Sequence, residues 1–317
     1  MTHIFSSAGS YIVTLTIRDS ANMVATIMNT VPVHGSPLTI DGWVVNWNIT
    51  AHHGIEIYNV SYNGIPTIRD ALINGIQVTY YQQPPGLSCI FFDDLGNDDL
   101  ASSIAGLTVQ NSTDPSNPWF QIRAQYNPSE VGYNYTQYWR FYQNGRWDAT
   151  LYAGHLGCGW NHTYQVHWRI DLALGDKNQD VMGQYSPSGS WRNLIWEGNY
   201  TDNGTRDPSH NSTQWRVGDG IGFYYMTPVV DPWAKDMPLI PSKIYLVRDH
   251  PGELEPDINP PQSPMDPIIF VNRELAYRQS IALWYVPTFW DHWLSSPGNP
   301  QVAPPSFVGL QFYPSGI

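Results

Sequence analysis

Basic residues, cysteine and long apolar runs are all scarce in this chain of 317 residues. Lys and Arg number 15 against 27 Asp and Glu, for a net charge of −12. Such a surface repels a phosphate backbone, so nucleic acid is excluded as a partner. The longest apolar run, SIALWYV (280–286), is far short of the roughly 20 residues that a membrane-spanning helix needs. No transmembrane segment is therefore expected. Two cysteines, Cys89 and Cys158, allow one disulfide or two buried thiols, and nothing in the sequence chooses between them. No long stretch has a helical period, and no internal repeat is evident. Nor does any segment read as a signal peptide. YIVTLTI (11–17) follows a glycine turn and alternates as a strand does, so a secretory leader would have been removed or would lie upstream.

What is plentiful points to β-structure. The chain has 26 Gly, 26 Pro and 14% aromatic residues, a composition of strands and turns. Its length allows one large or two medium domains with ample core. Short strand-like phrases follow one another from residue 43: WVVNWNIT, GIEIYNVSYN, INGIQVTYY, WFQIRAQYN, YTQYWRFYQNG, RWDATLYAG, HTYQVHWRIDLAL, IGFYYMTPV, KIYLVRDH, DPIIFVNREL, SIALWYVPTFW and FVGLQFYP. With no βαβ signal between them, they predict a large antiparallel β-sandwich. GNYTDNGTRDPSHNST (198–213) and PGELEPDINPPQSPMDP (251–267) read as loops. Acceptors of the form Asn-x-Ser/Thr occur at Asn48, Asn59, Asn111, Asn134, Asn161, Asn199, Asn203 and Asn211. Composition alone would give roughly three, so the excess predicts an extracellular or cell-surface glycoprotein carrying N-linked glycans.

The N-terminal phrase HIFSSAGSYIVTLTIRD resembles the end of a polycystic-kidney-disease-type (PKD) β-repeat, through Phe5, Gly9, Tyr11, Val13, Thr14, Leu15 and Asp19. Only about half a repeat is present. The resemblance divides the chain into a partial PKD-like hairpin unit, residues 1–36, and a larger domain, residues 37–317, with HGSP (34–37) as the linker. The larger unit resembles the catalytic domain of copper amine oxidases. HTYQVHWRIDL looks like that family's "H-T-H-L-V-H-Y-R-V-D-L". GIEIYNVSYNG, LVRDHPGELEP, DPIIF, SIALWYVPTFWDH and SFVGLQFYP resemble further family phrases in the same order.

That resemblance implies an all-β sandwich fold. It also implies a machinery of three copper-binding histidines, a tyrosine oxidised in place to topaquinone, and an aspartate base. Residues i and i+2 on a strand share a face, so two ligands can come from one strand. His162 matches the first copper ligand, and Tyr164 stands where the second would be. His167 falls on the opposite face, where the family carries a structural histidine. The third ligand position falls on Asp291, or on His292 after a one-residue slip. SEVGYNYTQYWRFYQNG (129–145) looks like the quinone phrase and puts Tyr133 or Tyr135 at the cofactor position. The base position falls on Gln82 or Gln83, with Asp93 and Asp94 as distant substitutes. All three parts are altered while the scaffold phrases are kept.

The expected function is therefore a non-catalytic, glycosylated structural or interaction protein on a copper amine oxidase-like fold. A surface layer, sheath or filament would suit it, with other copies of the chain as partners in a homo-oligomer or polymer. Copper and topaquinone enter only if the alternative holds, a divergent primary-amine oxidase. A third alternative is a carbohydrate-binding module, since 14 Trp and 20 Tyr could furnish sugar-stacking platforms. Asn134 and Asn161 flank the would-be site, and a glycan on either is incompatible with a buried amine channel.

Overall fold

A computed structural model of the chain describes residues 9–82, 104–126, 134–154, 160–174, 178–230, 242–250, 267–291 and 306–316, with short breaks at 19, 21, 23, 34–35, 51–52, 113, 202–203 and 220–221. The structure is all-β, as the spacing of the strand phrases predicts. Strands β1 (Gly9–Arg18) and β2 (Val24–Val33) pair antiparallel and form a two-stranded sheet of their own.

The remaining strands build two large sheets. The first takes β3 (Leu38–Ile40), β4 (Trp43–Thr50), β5 (Gly54–Tyr62), β6 (Ile65–Gln82), β11 (Trp160–Leu172), β14 (Gly198–Thr201), β17 (Lys243–Arg248), β18 (Ile281–Val286) and β19 (Thr288–Asp291). Its order is β14-β17-β18-β11-β6-β5-β4-β3, and β19 also pairs with β11. The second takes β7 (Ile104–Asn111), β8 (Trp119–Tyr126), β9 (Asn134–Tyr142), β10 (Trp147–Gly154), β12 (Val181–Tyr185), β13 (Trp191–Asn193), β15 (Trp215–Gly218), β16 (Phe223–Val230) and β20 (Ser306–Ser315). Its order is β13-β12-β15-β16-β20-β10-β9-β8-β7, and every pairing is antiparallel.

Alternation along the strands fills the space between the sheets. On β11, Tyr164, Val166, Trp168, Ile170 and Leu172 enter the core; on β9, Tyr135, Trp139 and Phe141 meet them. Trp139 and Trp168 touch edge-to-face at 5.4 Å, and Trp147 stacks on Phe312 at 3.7 Å. Burial of rings this large, at about 25 cal/mol per Å² of apolar surface, supplies most of the driving force for the sandwich.

Polar groups bond across the core where strand ends approach one another. Gln137 in β9 donates through Nε2 to the Ile55 carbonyl at 3.0 Å and accepts through Oε1 from the Ile55 amide at 3.0 Å. Tyr126 Oη donates to the same Gln137 oxygen at 2.7 Å. Trp43 Nε1 donates to the Tyr142 carbonyl at 2.7 Å. These contacts satisfy buried backbone groups that would otherwise cost free energy.

DPIIFVNREL departs from the expectation of a strand. Pro267–Phe270 is a short 3-10 turn, and no strand follows it before β18. Proline has no amide hydrogen for a ladder. The segment instead lays Phe270 flat on Trp284, ring centroids 5.5 Å apart, against the outer side of the first sheet.

Candidate functional site

The sequence-derived candidates converge on one end of β11. That strand is the centre of the first sheet, flanked by β6 on one side and by β18 and β19 on the other. In the β11–β19 ladder His162 stands directly opposite Asp291, and Tyr164 opposite Phe289. In the β11–β6 ladder His162 stands opposite Tyr80, and Trp160 opposite Gln82. Antiparallel partners lie about 5 Å apart at their backbones. His162 and Asp291, one of the two candidates for the third ligand position, are therefore neighbours in space, although 129 residues separate them. Gln82, one of the two candidates for the base position, lies two residues further along the β11–β6 ladder.

Tyr164 is fully buried, and so is Tyr135 on the facing sheet. Their rings meet edge-to-face, 6.2 Å between centroids and 89° between planes. Tyr135, one of the two quinone-position candidates, therefore adjoins the phenol at the second ligand position. Tyr133, His292, Gln83, Asp93, Asp94, Cys89, Cys158 and Asn203 lie outside the described residues, as do the side chains of Gln82, Asn161, His162 and Asp291. Among the described residues no group of three His, Cys, Asp or Glu is placed to hold a metal ion.

His167 is buried on the opposite face of β11 from Tyr164, beside Arg169 and Asp171. This outer face carries titratable groups that the sequence reading passed over. Arg69 Nη1 reaches both Asp171 oxygens at 3.0 and 2.9 Å, Asp249 Oδ2 at 3.1 Å and Ser280 Oγ at 2.9 Å. Arg169 pairs with Asp70 at 2.6 Å. Burial pushes the Asp171 carboxyl up to about 7 despite Arg69 and Arg169. Burial also lifts Asp180 to about 8, with the Ile281 amide pulling the other way. The signal is present in IRDAL and RIDLAL, where an arginine and an aspartate interrupt otherwise apolar strand sequence.

Of the glycan acceptors, Asn48, Asn59, Asn111, Asn199 and Asn211 are exposed, and Asn134 is half-buried at the start of β9. Asn59 and Asn211 sit at turns or kinks with φ of 46° and 53°, a conformation asparagine tolerates.

No protein-family model matches the chain, and no curated protein matches it in sequence. Solved structures do match. A copper-containing benzylamine oxidase from Hansenula polymorpha superposes with a TM-score of 0.68 at 12% identity, over 90% of this chain and 60% of that one. Pichia pastoris lysyl oxidase gives 0.59 at 12% identity, over 87% and 51%. Aspergillus nidulans amine oxidase gives 0.59 at 14% identity, over 87% and 50%. The likeness is one of fold, and this chain spans half to three fifths of the length of those enzymes.

Proposed function

We propose that the chain is a non-catalytic, glycosylated structural or interaction domain that keeps the fold of copper amine oxidases without their chemistry. It would act outside the cell, as one component of a surface layer, sheath or filament assembled from copies of itself. The Tyr135–Tyr164 contact carries this reading. Tyr164 stands at the second imidazole position of the family pattern and packs its ring in the sandwich core. A phenol titrates near pH 10 and binds copper only when the metal drives off its proton. His162, Tyr164 and either Asp291 or His292 offer two imidazoles at most. That set does not fit a site built on three. The base position holds an amide, Gln82 or Gln83, which cannot take up a proton at any useful pH. The exposed acceptors Asn48, Asn59, Asn111, Asn199 and Asn211 support the glycoprotein part of the proposal.

One observation favours a divergent copper enzyme as the second reading. The ladder sets Asp291 opposite His162, and copper(II) accepts mixed imidazole and oxygen donors. Metal analysis separates the two. The full chain is dialysed against copper(II) in air, freed of excess metal and assayed for bound copper, and the tryptic peptide holding Tyr135 is weighed. The structural reading expects far less than one copper per chain and an unmodified tyrosine. One tightly held copper with a mass gain at Tyr135 would overturn it.

A further inference from the structure

The outer face of the second sheet, turned away from Tyr135, carries a trough built row by row from the strand register. Its floor is a row of partners across four strands, Tyr138, Thr150, Gly309 and Val229. The two central positions are small. Gly309 is required there, because a Cβ would lie 2.1 Å from the Ala149 carbonyl oxygen.

The next row on one side is aromatic. Tyr152 and Phe307 are direct cross-strand partners with ring centroids 5.1 Å apart, and Tyr138 closes on Tyr152 at 5.2 Å. The next row on the other side is polar: Arg140, Asp148 and Gln311 are partners across β9, β10 and β20. The cavity between the two walls encloses about 310 Å³. That is at the lower end of small-molecule sites, roughly 300–1,000 Å³.

The polar wall is fixed before any ligand arrives. Asp148 is buried and accepts from Arg146 Nε and Nη2, at 3.1 and 3.0 Å, and from Tyr142 Oη at 2.8 Å. Arg140 is clamped through Nε and Nη2 on Gln121 Oε1, at 2.9 and 2.7 Å, with its guanidinium 4.3 Å from the Trp119 ring. Neither partner is an anion, so the Arg140 charge is not neutralised by direct contact. Two arginines against one aspartate leave the lining with one net positive charge, on a chain whose net charge is −12.

We propose that this trough binds a sugar ring bearing a carboxylate, of the uronic or sialic acid class. Aromatic rings suit the C–H face of a pyranose, and planar guanidinium and amide groups suit its hydroxyl and carboxylate edge. The excess positive charge of the lining, local to the trough and opposed by the net acidity of the chain, selects an anionic sugar over a neutral one at contact range. The site is independent of any copper chemistry, since it lies on the far side of the sheet from the core.

Calorimetric titration of the full chain with a galacturonic acid oligosaccharide and with its neutral galactose counterpart tests the proposal. The acidic sugar should bind about tenfold more tightly, because a charge-assisted bond exceeds a neutral one. Tyr152→Ala should weaken both by about tenfold through loss of stacking. Arg140→Gln should abolish the preference and leave weak neutral binding, with the melting temperature of each variant showing that it folds. Failure of the wild type to bind either sugar, equal affinity for the two, or binding untouched by both substitutions would overturn the proposal. So would sedimentation showing a dimer that Tyr152→Ala dissociates, since the trough would then be a contact between copies.

Discussion

Gly54 shows how one residue governs the joint between the two sheets. Its φ is +65°, and a Cβ there would lie 2.2 Å from Tyr126 Oη and 3.0 Å from Gln137 Oε1. Those are the atoms that hold the Ile55 amide. Gly54→Ala should cost about 2–4 kcal/mol, from left-handed backbone strain together with a displaced buried network. Thermal unfolding that leaves the variant within a degree of wild type would show that the joint is not needed. Asp180 and Asp171 make a second prediction at this scale. Burial raises both, to about 8 and about 7, above the ordinary aspartate range that the unfolded chain has. A raised pKa means that the folded chain keeps protons the unfolded chain has released. The stabilisation is complete below about pH 4 and is lost as pH rises through 7 to 8, at about 1.4 kcal/mol per pKa unit for each group. Asp207 works the other way. Its burial is outweighed by hydrogen bonds from His210, Ser209 and Trp191, so its carboxyl is held low and its contribution disappears in acid. The melting temperature should therefore peak near pH 4 and fall by several degrees toward pH 8.5, and Asp180→Asn should flatten that fall. A wild-type profile level from pH 5 to 8.5 would remove Asp180 and Asp171 from the account.

The elements best read from the sequence are those with a strong alternating or fully apolar pattern. WVVNWNIT, YTQYWRFY and HTYQVHWRIDL all fall on strands, because each places large rings on one face or buries both faces. INGIQVTYY reads as a short strand but is the second half of an 18-residue one, β6. Its first half, IPTIRDAL, hides behind a proline and a charged pair that the outer face absorbs at Arg69 and Asp70. The short strands β12 to β15 were not legible. VMGQY, WRN, GNYT and WRVG are three to five residues each and lie toward the sheet edges, where turn-rich sequence leaves little periodicity. GNYT opens a segment read as loop, yet it pairs with β17. The candidate site was legible only in part. Residue spacing put His162 and Tyr164 on one strand, but the alignment left Tyr133 and Tyr135 open. The Tyr135–Tyr164 contact depends on how two sheets face each other, which no local pattern encodes. Hydrogen exchange checks this hierarchy. Amides of β6 and β11 should exchange slowest, since both strands are central and covered on both faces, and those of β13 and β14 among the fastest. Equal protection of β14 and β11 would contradict it.

The whole molecule has a fold shared with amine oxidases, and under the proposed reading the donor chemistry of its site has changed. The fold is a property of the scaffold, and it survives at 12–14% identity to the solved oxidases. Fold alone carries no reaction. The chemistry would have to come from His162, Tyr164, Asp291 or His292, Tyr133 or Tyr135, and Gln82 or Gln83. In that set, as the family resemblance aligns it, the second ligand position and the base position are altered, and the third is altered too where it falls on Asp291. General base catalysis is worth about 10²–10⁴ in rate, so an amide at the base position alone removes most of any turnover. The most direct test adds phenylhydrazine to the full chain after copper loading in air and follows the visible spectrum, with peroxide release from a primary amine measured in parallel. The account predicts no hydrazone band and no peroxide above that of a boiled control. A stoichiometric coloured adduct, or sustained peroxide formation from the amine, would contradict it.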